Sequence, residues 1–323
     1  MKKVFVVIPN WNGEEWIGQC IESLLTQTFH CKIVMVDNGS VDASVALVEA
    51  RYPDVHVIKL STNTGFTGGV NAGISFAMTE GAYAVALFNN DAVADKNWLR
   101  KLVRVAESKP EVGIVACKLL QSDGKRFDST GECYSIWGMP FPRGRNLSLN
   151  GQFEIEDYIF GASGGASLYR TKMLESIGLF DDKFFLYFED VDISFRAQLA
   201  GWKITYCPSS EVFHRMSATS SKHSKLSRFH SSKNFFMLFT KNMPLKLLVK
   251  YMPLFTLQSI RLFGSSLIKG HLMTFLRSYF RFVVLLPQIL RDRHEIQKTR
   301  KVSVEYIDSI LYKHRPPMRQ NAD

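Results

Sequence analysis

The sequence holds little cysteine. Its five residues (Cys20, Cys31, Cys117, Cys133 and Cys207) are odd in number, scattered, and nowhere spaced as CxxC. That excludes a disulfide framework and a zinc knuckle, and fits a reducing compartment. No run of about 18 uncharged apolar residues occurs, so no membrane-crossing helix is expected. The apolar stretch after Met1-Lys2-Lys3 lasts only about six residues, too short for the core of a secretory leader; it reads as a first buried strand. No repeat of fixed period and no low-complexity tract appears. Acidic residues are scarce near the end of the chain. Residues 1–214 carry 20 Lys/Arg and 25 Asp/Glu, whereas residues 215–323 carry 20 Lys/Arg and 5 Asp/Glu. Such asymmetry implies an anionic partner for the last third, either an acidic membrane leaflet or nucleic acid.

What is present suits a sizeable folded core: 323 residues, 46% hydrophobic and 12% aromatic. Over the first 120 residues, short apolar runs alternate with helical patterns. The runs are Val4–Ile8, Ile33–Val36, Val55–Leu60, Tyr83–Phe88 and Val112–Cys117. Between them lie Glu14–Thr26, Ala43–Arg51, Gly69–Met78 and Asn97–Ser108. In the first of these, Ile17, Ile21, Leu24 and Leu25 share a face at helical spacing. Alternation of this kind predicts βαβ units and a mostly parallel sheet flanked by helices, an α/β fold. Ligands of such sheets bind outside the C-terminal strand ends.

Polar clusters sit at those ends. Asn10-Trp11-Asn12 follows the first run, Asp37-Asn38-Gly39-Ser40 the second, Asn63-Thr64-Gly65 the third, and Asn89-Asn90-Asp91 the fourth. Each alone is ordinary turn chemistry; four on one edge suggest a site. Gly65-Phe66-Thr67-Gly68-Gly69 can cradle phosphate at a helix N-terminus, but it is neither GxGxxG nor a Walker loop, so a dinucleotide oxidoreductase has little support. Asp91 is the metal candidate, with a turn or helix-capping role ahead of Trp98 as the alternative. Glu189 and Asp190, reached through the aromatic run Phe184–Phe188, are the candidate catalytic acids. An aromatic neighbourhood favours a raised carboxylate pKa, which suits a general base. Asp192 is accounted for by an i,i+4 pair with Arg196. His214 is a lone histidine with a structural alternative. Residues 121–157 lose the pattern and read as an excursion from the core.

Taken together, VVIPNWNG (6–13), VMVDNGSVDAS (34–44), NTGFTGGVNAGI (63–74), LFNNDAV (87–93), FGASGGASLYR (160–170), FFLYFEDVDISFRAQLAGW (184–202) and VFHRMSATS (212–220) resemble glycosyltransferase family 2, especially its rhamnosyltransferase-like branch. The resemblance implies a GT-A fold and inverting transfer of one sugar from a nucleotide diphosphate, dTDP-rhamnose being one donor, to a saccharide or lipid-linked glycan acceptor in cell-surface polysaccharide synthesis. The implied donor side is Pro9, Asn12, Asp37, Asn38, Asn63, Gly65, Asn89 and Asn90. Asp91 and His214 would hold a divalent cation, Mg²⁺ or Mn²⁺. Asp190 would be the base beside Glu189, and Gly161, Ala162, Gly164 and Gly165 would border the acceptor. The chain has Asn89-Asn90-Asp91 where many relatives carry Asp-x-Asp, so one carboxylate is missing. The Gln-x-x-Arg-Trp signature of processive synthases is absent.

The resemblance spans about residues 4–240, giving a catalytic domain over 1–240 and a basic, helical C-terminal region over 241–323. There apolar residues mingle with Lys246, Lys250, Arg261, Lys269, Arg277, Arg281, Arg291 and Arg293, with a kink expected at Pro253. Basic amphipathic helices of this kind lie on membranes, which suggests a peripheral position on the cytoplasmic face of the inner membrane; the alternative is a helix pair with a solvated basic face. Nucleic acid is disfavoured: Lys222, Lys225, Arg228, Phe229 and His230 interleave charge with aromatics, but no recognition motif is present. Two rivals remain. A nucleotidyltransferase should carry a basic glycine-rich loop after the first strand, where this chain has the acidic Pro9–Glu15. A non-catalytic adaptor is disfavoured by the joint presence of Asp91, Asp190 and His214.

Overall fold

The computed structural model describes residues 2–215 and 224–317. The first part alternates strand and helix: β1 (Val4–Asn10), α1 (Glu14–Leu25), β2 (Lys32–Asp37), α2 (Ser44–Arg51), β3 (His56–Lys59), α3 (Gly65–Thr79), β4 (Ala84–Leu87), β5 (Ala92–Ala94), α4 (Trp98–Ser108) and β6 (Val112–Gln121). The excursion then contains short strands β7 (Phe127–Ser129), β8 (Glu132–Tyr134), β9 (Pro140–Pro142) and β10 (Asp157–Tyr158). It is followed by β11 (Ser167–Arg170), α5 (Thr171–Ile177), α6 (Glu189–Leu199) and β12 (Lys203–His214). Four helices follow among the described residues: α7 (Ser224–Asn242), α8 (Leu245–Ile268), α9 (Leu272–Lys298) and α10 (Val304–Ile310).

The large sheet runs β10-β12-β6-β11-β4-β1-β2-β3. It is mixed and mostly parallel; β11 lies antiparallel between β4 and β6, and β10 is antiparallel to β12. β1 explains why both faces are covered. Val4, Val6 and Ile8 enter a cluster with Ile17, Ile21 and Trp98, while Phe5 and Val7 point to the opposite cluster with Val70, Ile74 and Tyr169. A strand buried on both sides reads as an unbroken apolar run, which is how β1 appears in the sequence.

A third cluster joins α6 to the C-terminal helices through Phe184, Phe195, Phe235, Phe239 and Phe255. Position 240 falls inside α7. α7 is tied to α6 by charge as well as by apolar contact. Asp192, fully buried, meets Arg196 at 2.8 Å, Lys241 at 2.9 Å and Asn242 at 2.7 Å. The Asp192–Arg196 pair is the one its spacing predicts. α8 continues as helix through Pro253, so the proline does not end it. Among the described residues no helix is long and apolar enough to cross a membrane.

Candidate active site

The four polar clusters do meet. A cleft of about 330 Å³ opens at the C-terminal ends of the parallel strands, and Pro9, Asn38, Asn63, Gly65, Asn89, Asn90, Asp91 and His214 all line it. The Asn38 side chain, buried, organises the wall: its Oδ1 accepts from the Thr64 backbone N–H at 2.8 Å, and its Nδ2 donates to the Gly65 carbonyl at 2.7 Å. That fixes the start of α3. Gly65 has φ +78, and the Phe185 backbone lies where a side chain would stand. Asn90 spends its amide on buried Asn10, at 2.8 Å.

Asp91 follows β4 in the turn before β5. It does not cap α4, whose N-cap is Asn97. Antiparallel pairing of β5 with β12 sets Ala92 opposite His214, which brings His214 Nε2 to 3.1 Å from Asp91 Oδ1. The same ring atom lies 3.1 Å from Asn89 Nδ2. On its other side, His214 Nδ1 is 2.8 Å from Asp128 Oδ2. Asp128 is buried, and the Arg145 guanidinium forms an ion pair with its Oδ1 at 2.8 Å. Burial opposes charge on His214, yet hydrogen bonds from its two ring nitrogens to Asp128 and Asp91 push the imidazole up to about 10. Burial would also raise Asp128, but His214 and Arg145 hold it below the usual carboxylate range.

Among the described residues no three His, Cys, Asp or Glu side chains are grouped to hold a metal on their own. Asp91 and His214 offer one hard oxygen and one imidazole nitrogen. That donor set fits a divalent cation completed by diphosphate oxygens and water, with Asp128 as the outer partner that orients the histidine. Binding there requires the shared proton to leave.

Glu189 and Asp190 arrive through a strained approach. Phe185, Tyr187 and Phe188 have φ of 66, 69 and 69°, a region bulky residues avoid. Asn234 of α7, fully buried, lies within hydrogen-bonding distance of the carbonyls of Phe184, Leu186 and Tyr187 at 3.0, 2.9 and 2.6 Å. Asp190, half-buried at the start of α6, accepts the Gly164 N–H at 3.0 Å. Burial pushes its carboxyl up, while backbone N–H bonds from Gly164 and Val191 work the other way. Gly164 and Gly165 bridge the two halves of the site. A side chain at Gly164 would meet Phe66, a cleft residue, and Gly165 accepts the Asn89 N–H at 2.8 Å. Asp190 is thus linked to Asp91 through Gly164, Gly165, Asn89 and His214.

Other predicted residues stand further back. Glu189 is buried behind Asp190; burial, then the charge of Asp190, push it well above the usual carboxylate range. Asp37 is buried, with its carboxylate accepting the Ser40 N–H at 3.3 Å. Asn12 is exposed and accepts the Val41 N–H at 2.9 Å. Gly161 exchanges backbone hydrogen bonds with Glu132 at 2.7 and 3.1 Å, and Ala162 is fully buried. These two lie in the packing beneath the site. Residues 216–220 of the last motif, and Lys222, lie outside the described residues.

Sequence reasoning missed Asp128, Glu132 and Arg145. All come from the excursion, where periodicity fails. Their charge gave no signal, because that stretch holds ten charged side chains in all. Arg145 lines the cleft beside Asp128. Burial and then the charge of Asp190 push Glu132 well above the usual carboxylate range, as they do Glu189, so both acids behind Asp190 shift the same way.

Sheet order, the reversed β11 and a cleft at the strand ends define a GT-A glycosyltransferase architecture. GalNAc-T7, solved with UDP, GalNAc and Mn²⁺, superimposes with a TM-score of 0.58 at 15% identity, covering 75% of this chain and 48% of that one. The model of glycosyl transferase family 2 matches residues 5–178, more than half of the chain, which therefore belongs to that family of sugar-transferring enzymes. Among curated relatives, the N-acetylglucosaminyl-diphospho-decaprenol L-rhamnosyltransferase of Mycobacterium tuberculosis is 26% identical over 226 residues, 64% of this chain and 74% of the relative. The O-antigen biosynthesis protein RfbC of Myxococcus xanthus is 26% identical over 225 residues, 67% of this chain. This chain spans only 18% of that protein's length.

Proposed function

We propose that this chain is an inverting transferase that moves a single sugar from a nucleotide diphosphate, dTDP-rhamnose first among the candidates, to a saccharide or lipid-linked glycan acceptor in cell-surface polysaccharide synthesis. The names of the M. tuberculosis and M. xanthus relatives support the sugar and the pathway class. One observation supports the chemistry: Asp190, its basicity raised by burial, stands behind the cleft lining and accepts the Gly164 N–H, and the next residue, Gly165, bonds Asn89 in the cleft wall beside Asp91 and His214.

In this reading the donor lies along the strand ends, with its diphosphate toward Asp91, His214 and Arg145. Asp91 and His214 would hold a divalent cation, which would supply neutralisation of the charge that builds on the leaving diphosphate. Arg145, steadied by Asp128, adds a fixed positive charge. Asp190 takes the proton of the acceptor hydroxyl as that oxygen bonds to the anomeric carbon from the face opposite the diphosphate. The bond to the diphosphate breaks, and the configuration inverts. Phe185, Leu186 and Tyr187 line the same cleft and would limit water beside the reacting carbon.

Asp190→Asn is the test. It keeps the shape and removes the base, so transfer should fall by about 10²–10⁴-fold. Binding of nucleotide sugar, read as a thermal shift with Mn²⁺, should survive. Full turnover by this variant would remove Asp190 from the role.

A further inference from the structure

α8 and α9 form a hairpin fastened to the rest of the molecule along one stripe. Of its 24 residues α8 buries Leu247, Tyr251 and Phe255. α9 buries Phe275, Ser278, Phe282, Leu285 and Ile289. The outward stripes are apolar too. Val249, Ile260 and Leu267 on α8, and Met273, Phe280 and Val284 on α9, are exposed, Ile260 by 60% and Phe280 by 68%. Their spacings of 11, 7, 7 and 4 bring them round to one side of each helix. Apolar surface of this extent on a polar-rimmed face marks an interaction site.

The charge around it has one sign. α8 contains no Asp or Glu, and the first acid of α9 is Asp292, which is paired with Lys183 at 3.1 Å. Lys246, Lys269, Arg277, Arg281 and Arg291 are exposed between the apolar residues. A second copy of this chain seated on the face would set most of these cations against their own kind; of the five, Lys246 has the Glu305 carboxylate close enough to feel. Anionic headgroups answer them directly.

We propose that the outward face of the α8–α9 hairpin docks on an anionic lipid bilayer, lying in the plane of the interface. Ile260 and Phe280 enter the acyl boundary, and the lysines and arginines meet headgroup phosphates. Burying two large side chains should change lipid partition by about tenfold or more.

Sedimentation of the full chain with vesicles tests this without any turnover, so a failure of the transfer reading leaves it standing. Binding should appear with phosphatidylcholine vesicles that contain phosphatidylglycerol, be much weaker with phosphatidylcholine alone, and fall as salt rises. The double variant Ile260→Asp/Phe280→Asp should lose about tenfold or more of that binding while its circular dichroism and melting temperature stay unchanged. Lys269→Glu/Arg277→Glu should abolish the preference for phosphatidylglycerol. Absence of binding to phosphatidylglycerol vesicles, equal binding by the Asp double variant, or a stable dimer that this variant dissociates would each overturn the proposal.

Discussion

Asp128 has no place in the sequence motifs, yet it holds two cleft residues at once. It accepts from His214 Nδ1 and pairs with Arg145, both at 2.8 Å. Asp128→Asn keeps the side-chain volume and removes the charge. Mn²⁺-dependent donor binding should then weaken by about 10–100-fold, the range typical of outer partners of a metal ligand. Calorimetric titration with nucleotide sugar, with and without Mn²⁺, measures it; unchanged affinity would make Asp128 a packing residue only. His230 makes a separate prediction. It stacks on Phe185 at 4.6 Å. Burial and then the nearby Lys233 push its imidazole down to about 4. The folded pKa is below the ordinary value of about 6.5, so the unfolded chain takes up the proton first as pH falls. The stabilisation is complete above about pH 6.5 and is lost between there and about pH 4, amounting to about 3 kcal/mol. Melting temperature against pH should show this step, and His230→Phe should flatten it.

The 184–188 loop is the element on which the proposed chemistry most depends. Residues 184–188 run through three left-handed non-glycine conformations before α6 begins. Such a path costs about 1–3 kcal/mol per residue, so something outside the loop must hold it. Asn234 does so from α7, with its amide against three of the loop carbonyls. Asn234→Ala should leave the buried Phe184 carbonyl short of a donor and the part-buried Leu186 and Tyr187 carbonyls to water, cost about 1–3 kcal/mol for the group left unpaired, and lower kcat more than the donor KM. Chemical denaturation and steady-state kinetics read the two effects. A variant as active as the parent would show that the loop keeps its form without α7. α6 itself was partly legible: the i,i+4 spacing of Asp192 and Arg196 shows in the sequence. Lys241 and Asn242, which complete that buried network, are about 50 positions away and give no local sign of it.

At the scale of the molecule, the parallel half was readable because each strand is an apolar run followed by a polar turn. The predicted run Val112–Cys117 ends four residues before β6 does, and Gly69–Met78 starts four residues after α3 begins. The apolar runs carried no sign that β11 enters the sheet reversed. That reversal sets Leu168 opposite Ala86 and delivers Gly164 and Gly165 to the open ends of the parallel strands. Asp128, Glu132 and Arg145 escaped notice for a related reason. Short strands such as β7 and β8 carry three residues each, too few to show a period. β7 is placed by pairing with β6 and β8 by pairing with β9, rather than by their own pattern.

The account rests on donor, cation and base sharing one cleft. The most direct test is a structure of the chain with dTDP-rhamnose and Mn²⁺. The account predicts Mn²⁺ between Asp91, His214 and the diphosphate, Arg145 against a phosphate oxygen, and the anomeric carbon facing the Asp190 carboxylate. A donor bound elsewhere, or one whose anomeric carbon points away from Asp190, would contradict it.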